Sequence, residues 1–249
     1  MESRSRLCSR CGSYQVYANS KPVQSIQTDL HPQLDTVARR HLQSHYQRPV
    51  SVRGAAIFAK LLPWLHSQRG RALILDSGCG TGASTQALAR MHPGAAVLGA
   101  DRSAVRLARS GVADAFDLRL DHQLALARIN LEDLWPLLLA AGVCLQQHRI
   151  YYPNPSPKPE QLKRRWHAHP LFPCLLLLGG ELELRSNWKL YIDEFARTLQ
   201  LSGHAAQVDE IPPSEPPVSP FERKYRDSGQ ALWRLRCALG LGHERVRAD

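Results

Sequence analysis

The sequence predicts an α/β fold in which helices cover both faces of a doubly wound, mostly parallel sheet. Three observations predict it. Leu73–Leu75 and Ala95–Ala100 are short apolar runs with the length and continuity of buried parallel strands. The first leads through the glycine-rich turn Gly78-Cys-Gly-Thr-Gly82 into the helical stretch Ala83–Met91, which His92-Pro93-Gly94 stops. The chain of 249 residues, 43% apolar, suffices for one domain of ordinary size with short additions.

The elements follow in order. Residues 1–50 form a basic, aromatic arm (Arg4, Arg6, Arg10, Tyr14, Tyr17, Lys21) with little periodicity before Leu34. It reads either as a segment lying on the domain or on RNA, or as a loosely packed tail. Residues 51–249 form the α/β domain. A helix is expected from His31-Pro32 through Val37 and Leu42, and a second over Val52–Leu65, whose Ile57, Phe58, Leu61 and Leu62 are apolar. Ser103 is a credible N-cap for a short helix bearing Val105 and Leu107. Residues 113–126 show no clear period, and Leu126–Asn130 reads as the third strand. Arg149–Tyr152 reads as the fourth, followed by Pro153-Asn-Pro-Ser-Pro-Lys158, where alternate prolines stiffen an extended loop. A helical region over Gln161–Leu178, a strand over Glu181–Arg185, and a helix through Ile192, Phe195 and Leu199 come next. Residues 211–220 are a proline-rich linker, and Ala231–Cys237 is the last strand.

The formal charge of +10 and a pI near 9.6 point to a polyanionic partner, most simply nucleic acid. No apolar run approaches the ~20 residues of a membrane span, and the N-terminus lacks a secretory core, so a cytoplasmic protein is expected. Cys8 and Cys11 are the one Cys-x-x-Cys pair among six cysteines, with no second pair at zinc-site spacing. No metal site is expected.

The chemistry concentrates at the strand ends. Asp76 ends the first strand and Asp101 the second, about 20 residues past the glycine turn, where a carboxylate can accept from both ribose hydroxyls of an adenosine. Glycine serves at 78, 80 and 82 because the backbone turns sharply and lets a ligand approach. Asn130-Leu-Glu-Asp133 forms an acidic turn that either meets an adenine or caps a helix, with Glu132 and Asp133 indistinguishable. In a doubly wound sheet, the loop after the fourth strand lies beside the nucleotide, where a reacting partner must sit.

The acid before Gly-Cys-Gly-Thr-Gly resembles the first motif of class I S-adenosylmethionine-dependent methyltransferases, which implies a Rossmann-like seven-stranded sheet. Taken with three later segments, the chain resembles the tRNA (guanine-N7-)-methyltransferase family. These segments are Pro153-Asn-Pro-Ser-Pro-Lys158 followed by Lys163-Arg-Arg165, Asn187-Trp188, and Ser219-Pro-Phe-Glu222. The resemblance runs from about residue 71 to 226. It implies S-adenosyl-L-methionine held by Asp76, Gly78, Gly80, Gly82, Asp101, Asn130, Glu132 and Asn154. It also implies a tRNA guanine oriented by Asn154 and Lys158 and contacted by Asn187, Ser219 and Glu222, with phosphates gripped by Lys163, Arg164 and Arg165. Two family aspartates are Asn154 and Asn187 here, and the family tryptophan is Ser156. These departures leave three alternatives open: an exocyclic-amine or other RNA methyltransferase, a non-catalytic RNA-binding relative, and a small-molecule methyltransferase.

Overall fold

The structure is a computed structural model, and it describes residues 20–110 and 117–240. The arm residues Arg4 to Tyr17, with Cys8 and Cys11, lie outside the described residues. Eight strands form one sheet in the order β3-β4-β2-β1-β5-β6-β8-β7. The strands are β1 (Leu73–Ser77), β2 (Ala96–Ala100), β3 (Leu118–Leu120), β4 (Leu124–Ala127), β5 (Gln147–Tyr151), β6 (Glu181–Ser186), β7 (Gln207–Glu210) and β8 (Trp233–Ala238). The five central strands, β4-β2-β1-β5-β6, are parallel, and the remaining pairings are antiparallel. The sheet therefore has the expected doubly wound core with one more strand than the seven expected.

Alternation in β1 divides the core. Leu73 and Leu75 join the large cluster on one face, and Ile74 joins a smaller cluster with Leu88 and Val97 on the other. The large cluster is built by α2 (Val52–Ser67), α5 (Leu131–Ala140), α6 (Phe172–Leu178) and α7 (Lys189–Leu201). Leu75, Leu98 and Leu184 are completely buried there, each burial stabilising by roughly 1.5–3 kcal/mol relative to exposure. The opposite face carries α3 (Ala83–Met91), with the short α4 (Ala104–Leu107) following β2. Ser51 caps α2 by accepting from Gly54 N, and Ser103 caps α4 by accepting from Arg106 N. A final helix, α8 (Pro220–Asp227), precedes β8.

Several expectations are corrected. The third parallel strand is Leu124–Ala127 rather than Leu126–Asn130, and the unparsed stretch before it contributes the antiparallel β3. The helical region after the proline loop is broken into 3-10 turns at Pro159–Arg164 and Trp166–Ala168 before α6. Pro159, Pro170 and Pro173 remove the donors that a continuous helix would need. The proline-rich linker is pinned to the domain: Ile211 is buried, and Glu215 accepts from Arg185 and Arg234. Residues 20–50 lie on the domain. There α1 (Leu34–Leu42) packs on α7, with Arg197 donating to both carboxylate oxygens of Asp35. No helix among the described residues is long and apolar enough to cross a membrane.

Candidate active site

The sheet order reverses between β1 and β5, and their carboxyl ends, Ser77 and Tyr151, open into a cleft of about 710 Å3. A crevice at this position is where doubly wound sheets bind ligands. One wall comes from the strand ends and turns that carry Gly78, Asp101, Asn130 and Glu132. The other comes from the proline loop and the turn after it, with Tyr152, Asn154, Lys163 and Arg164.

The glycine turn is fixed by its backbone. Gly78 N and Cys79 N both donate to Ala100 O, at 2.8 and 3.0 Å. Gly78 has φ +82°, which an L side chain rarely adopts, and a Cβ there would meet open space. Gly82 (φ +74°) is needed for a second reason: its Cβ would lie 3.0 Å from Leu126. Asp76 is buried behind this turn. Its Oδ2 accepts from Ser84 Oγ and Thr85 Oγ1 at 2.6 and 2.7 Å, while Oδ1 is buried with no partner. Burial outweighs these hydrogen bonds and raises the carboxyl to about 6.

Asp101 is 2% exposed. Its Oδ2 accepts from Gly80 N, and its Oδ1 from Ser103 N and Arg106 Nη2, all within 3.0 Å. Asp101 is thus held by the glycine turn and Asp76 by the first residues of the helix that follows it. Below them lies a buried polar chain that sequence reasoning missed. Trp135 Nε1 donates to Ser77 Oγ, which shares a 2.8 Å hydrogen bond with His148 Nε2. Burial, with Arg149 beside it, lowers His148 to about 3, so the imidazole stays neutral.

The acidic turn resolves into two jobs. Asn130 is the N-cap residue of α5 but makes no side-chain cap, and it faces the cleft. Asp133 is 1% exposed and accepts from Ser51 N and Ser51 Oγ, which fixes the start of α2. Glu132 remains on the cleft wall, paired with Arg48 at 2.6 Å and facing His169 at 3.6 Å.

The proline loop is held in a strained form. Tyr152 and Ser156 have φ +50° and +45°, and Asn154 Oδ1 accepts from Ser156 N at 3.1 Å. The basic triplet beyond it is split. Lys163 and Arg164 are exposed on the cleft, whereas Arg165 is fully buried, which corrects its assignment to phosphates. Arg165 donates to Ser156 O and, at 2.5 Å, to Glu194 Oε2, itself fully buried. The arm closes this network from outside. Gln27 donates to Glu194 Oε1 and accepts from Arg165, His31 N donates to Glu194, and Ser25 Oγ donates to Pro157 O. Burial opposes the Glu194 charge, but His167 and Arg165 outweigh it and hold the carboxyl below its usual range. Nothing in the local sequence distinguishes Arg165 from its neighbours; only the packing of α7 does.

Four further expected residues stand away from the cleft wall. Lys158 is exposed on the loop, outside the lining. Asn187 donates to Gln230 Oε1, and Gln230 donates in turn to Ser20 O. Ser219 caps α8 by accepting from Glu222 N. Glu222 is fully buried, where its Oε1 accepts from Arg185 and Arg226 at 3.0 and 3.3 Å. A contact from Glu222 to a substrate would need that cluster to open. No group of residues able to hold a metal occurs among the described residues.

Comparison with known proteins gives a consistent picture. Residues 70–235 match the model of a family described as "Putative methyltransferase". The tRNA (guanine-N(7)-)-methyltransferase of Burkholderia vietnamiensis is 31% identical over 190 residues, covering 72% of each chain. That of Mycobacterium avium is 29% identical over 178 residues, covering 66% of this chain, and the match spans 65% of the relative's length. Among solved structures, the 16S rRNA methyltransferase KamB aligns with a TM-score of 0.50 at 17% identity, over 77% of this chain and 95% of its own. The 16S rRNA (adenine(1408)-N(1))-methyltransferase of Catenulisporales acidiphilia, bound to its cosubstrate, aligns with a TM-score of 0.51 at 16% identity, over 71% of this chain and 89% of its own. At these identities the structural likeness establishes the fold.

Proposed function

The chain belongs to the tRNA (guanine-N7-)-methyltransferase family as a divergent member, and from that premise we propose that it methylates N7 of a guanine in tRNA with S-adenosyl-L-methionine. The observation that carries this reading is one cleft joining the glycine turn and Asp101 on one side to Asn154, Lys163 and Arg164 on the other.

The cofactor fits the residues present. Asp76 Oδ1 is an orphaned buried acceptor, suited to a cationic amino group. Gly78 leaves space for close backbone approach, and Asp101 stands at the ribose position with Arg106, 42% exposed, free to swing from it. Asn130 and Glu132 frame the adenine end. When bound, the cofactor supplies an electrophilic methyl group on a sulfonium.

The protein's own work is then positional. Guanine N7 has a free lone pair and no proton to lose, so no general base is needed, and alignment with exclusion of water supplies most of the acceleration. The neutral, buried His148 accords with that chemistry. Lys163 and Arg164 meet phosphates and set the register of the RNA. An exocyclic-amine methyltransferase would need the Asn154 carbonyl turned to the amine as acceptor, whereas here it is turned to Ser156 N, which takes one of its two lone pairs.

The test is methyl transfer from labelled S-adenosylmethionine to bulk unmodified tRNA, with nucleoside analysis of the product. 7-Methylguanosine is expected. A different methylated nucleoside, or none while cofactor binding persists, refutes the reading.

A further inference from the structure

The orientation of the Asn154 amide is fixed by a group that can only donate. Ser156 N–H, 3.1 Å away, must take Oδ1, so the Nδ2 amine is the end left over, and it has no partner among the described residues. Asn154 is exposed on the cleft wall. The polar groups around it share its character. Lys163 and Arg164 can only donate, while Gln161 and the hydroxyls of Tyr152 and Ser156 can do either. The cleft wall carries two carboxylates, both engaged elsewhere: Asp101 with Gly80, Ser103 and Arg106, and Glu132 with Arg48 and His169. The free Asn154 amine, Lys163 and Arg164 thus form a donor surface on this side of the cleft.

A guanine can offer such a surface only one edge. Its major-groove edge carries the acceptors N7 and O6, while the opposite edge carries the N1–H and 2-amino donors. Resting on the proposed N7 reaction, we propose that Asn154 is the specificity-determining residue, its Nδ2 amine donating to guanine O6 beside the reacting N7. Adenine places an amine where O6 would be and sets donor against donor. The asparagine is then an adaptation and not a damaged aspartate. A carboxylate at 154 keeps the Ser156 hydrogen bond, so the loop keeps its shape, but it presents an acceptor to O6.

The experiment first locates the methylated guanine with the wild-type protein. It then uses tRNA transcripts carrying 2-aminopurine at that position, which retains N7 and lacks O6, or hypoxanthine, which retains both and lacks the 2-amino group. Wild-type kcat/KM is expected to fall about tenfold to hundredfold on 2-aminopurine and to change little on hypoxanthine. Asn154→Asp, checked for an unchanged melting temperature, is expected to fall by a similar factor on guanine and to lose nothing further on 2-aminopurine. Equal wild-type turnover of guanine and 2-aminopurine overturns the proposal, as does an Asn154→Asp loss of the same factor on both bases. Should Asn154→Asp fail to fold, the wild-type comparison of the three bases decides alone. Absence of 7-methylguanosine from every guanine-containing tRNA is a different result: it removes the N7 reaction itself, and this assignment with it.

Discussion

Replacing Asp76 by Asn should stabilise the free protein while abolishing its cofactor binding. The Asp76 carboxyl is 1% exposed, and burial raises it from its ordinary 3.8 to about 6 despite the hydroxyls of Ser84 and Thr85. Below pH 3.8 the group is protonated in both folded and unfolded chains and stability is unaffected. As pH rises from 3.8 towards 6 the unfolded chain ionises first, so stability falls; above about 6 the loss is complete. The gap between the two values corresponds to about 3 kcal/mol. An asparagine keeps an acceptor for Ser84 and Thr85 but places an amine where Oδ1 had no partner, which trims the gain to roughly 1–3 kcal/mol. Urea unfolding without cofactor, compared at pH 5 and pH 8, measures it. The advantage of Asp76→Asn should be full at pH 8 and smaller by about 1.4 kcal/mol at pH 5, while calorimetry with S-adenosylmethionine shows lost binding. A variant no more stable than wild type at pH 8, or an advantage equal at both pH values, would refute the claim that Asp76 carries a buried, costly charge awaiting a cation.

Other expectations follow from the same geometry. Arg165→Met leaves the buried Glu194 without its guanidinium partner, with His167, Gln27 and His31 N remaining beside it, and should cost about 3–5 kcal/mol at pH 7. Because Arg165 and His167 hold Glu194 below its ordinary 4.5, their stabilisation is present above 4.5 and lost as pH falls through the lowered value; a penalty that does not shrink towards acid pH would contradict the pairing. Asp101→Ala should abolish cofactor binding by calorimetry, and unchanged affinity would remove the ribose assignment. Lys163 and Arg164 changed together to Ala should weaken tRNA binding and reduce the slope of log affinity against log salt by up to about 2. An unaltered slope would move the phosphate contacts elsewhere.

Local sequence determined a large part of this protein. Strand, glycine turn and helix from Leu73 to Met91 are legible because a buried parallel strand, a left-handed turn and a helix stopped by His92-Pro-Gly each impose their own residue types over a few positions. Asp76 and Asp101 are legible for the same reason, being placed by the ends of recognisable strands. The antiparallel β3 and β7 were not legible. Each is three or four residues long at a sheet edge, too short for the alternation of Leu118-Arg-Leu120 or for a lone Val208 to stand out. Only tertiary structure separated Lys163 and Arg164 from Arg165. Three adjacent basic residues are equivalent in sequence, and which of them is drawn inward depends on Glu194, nearly 30 residues away, and on Gln27 from the arm. Tertiary structure also turned Asn154 from a residue type into an oriented donor, through one backbone N–H two residues on. Short-range chemistry fixes the conformation of a turn, but the direction of a side chain and the state of its charge are set by partners that folding brings from elsewhere in the chain.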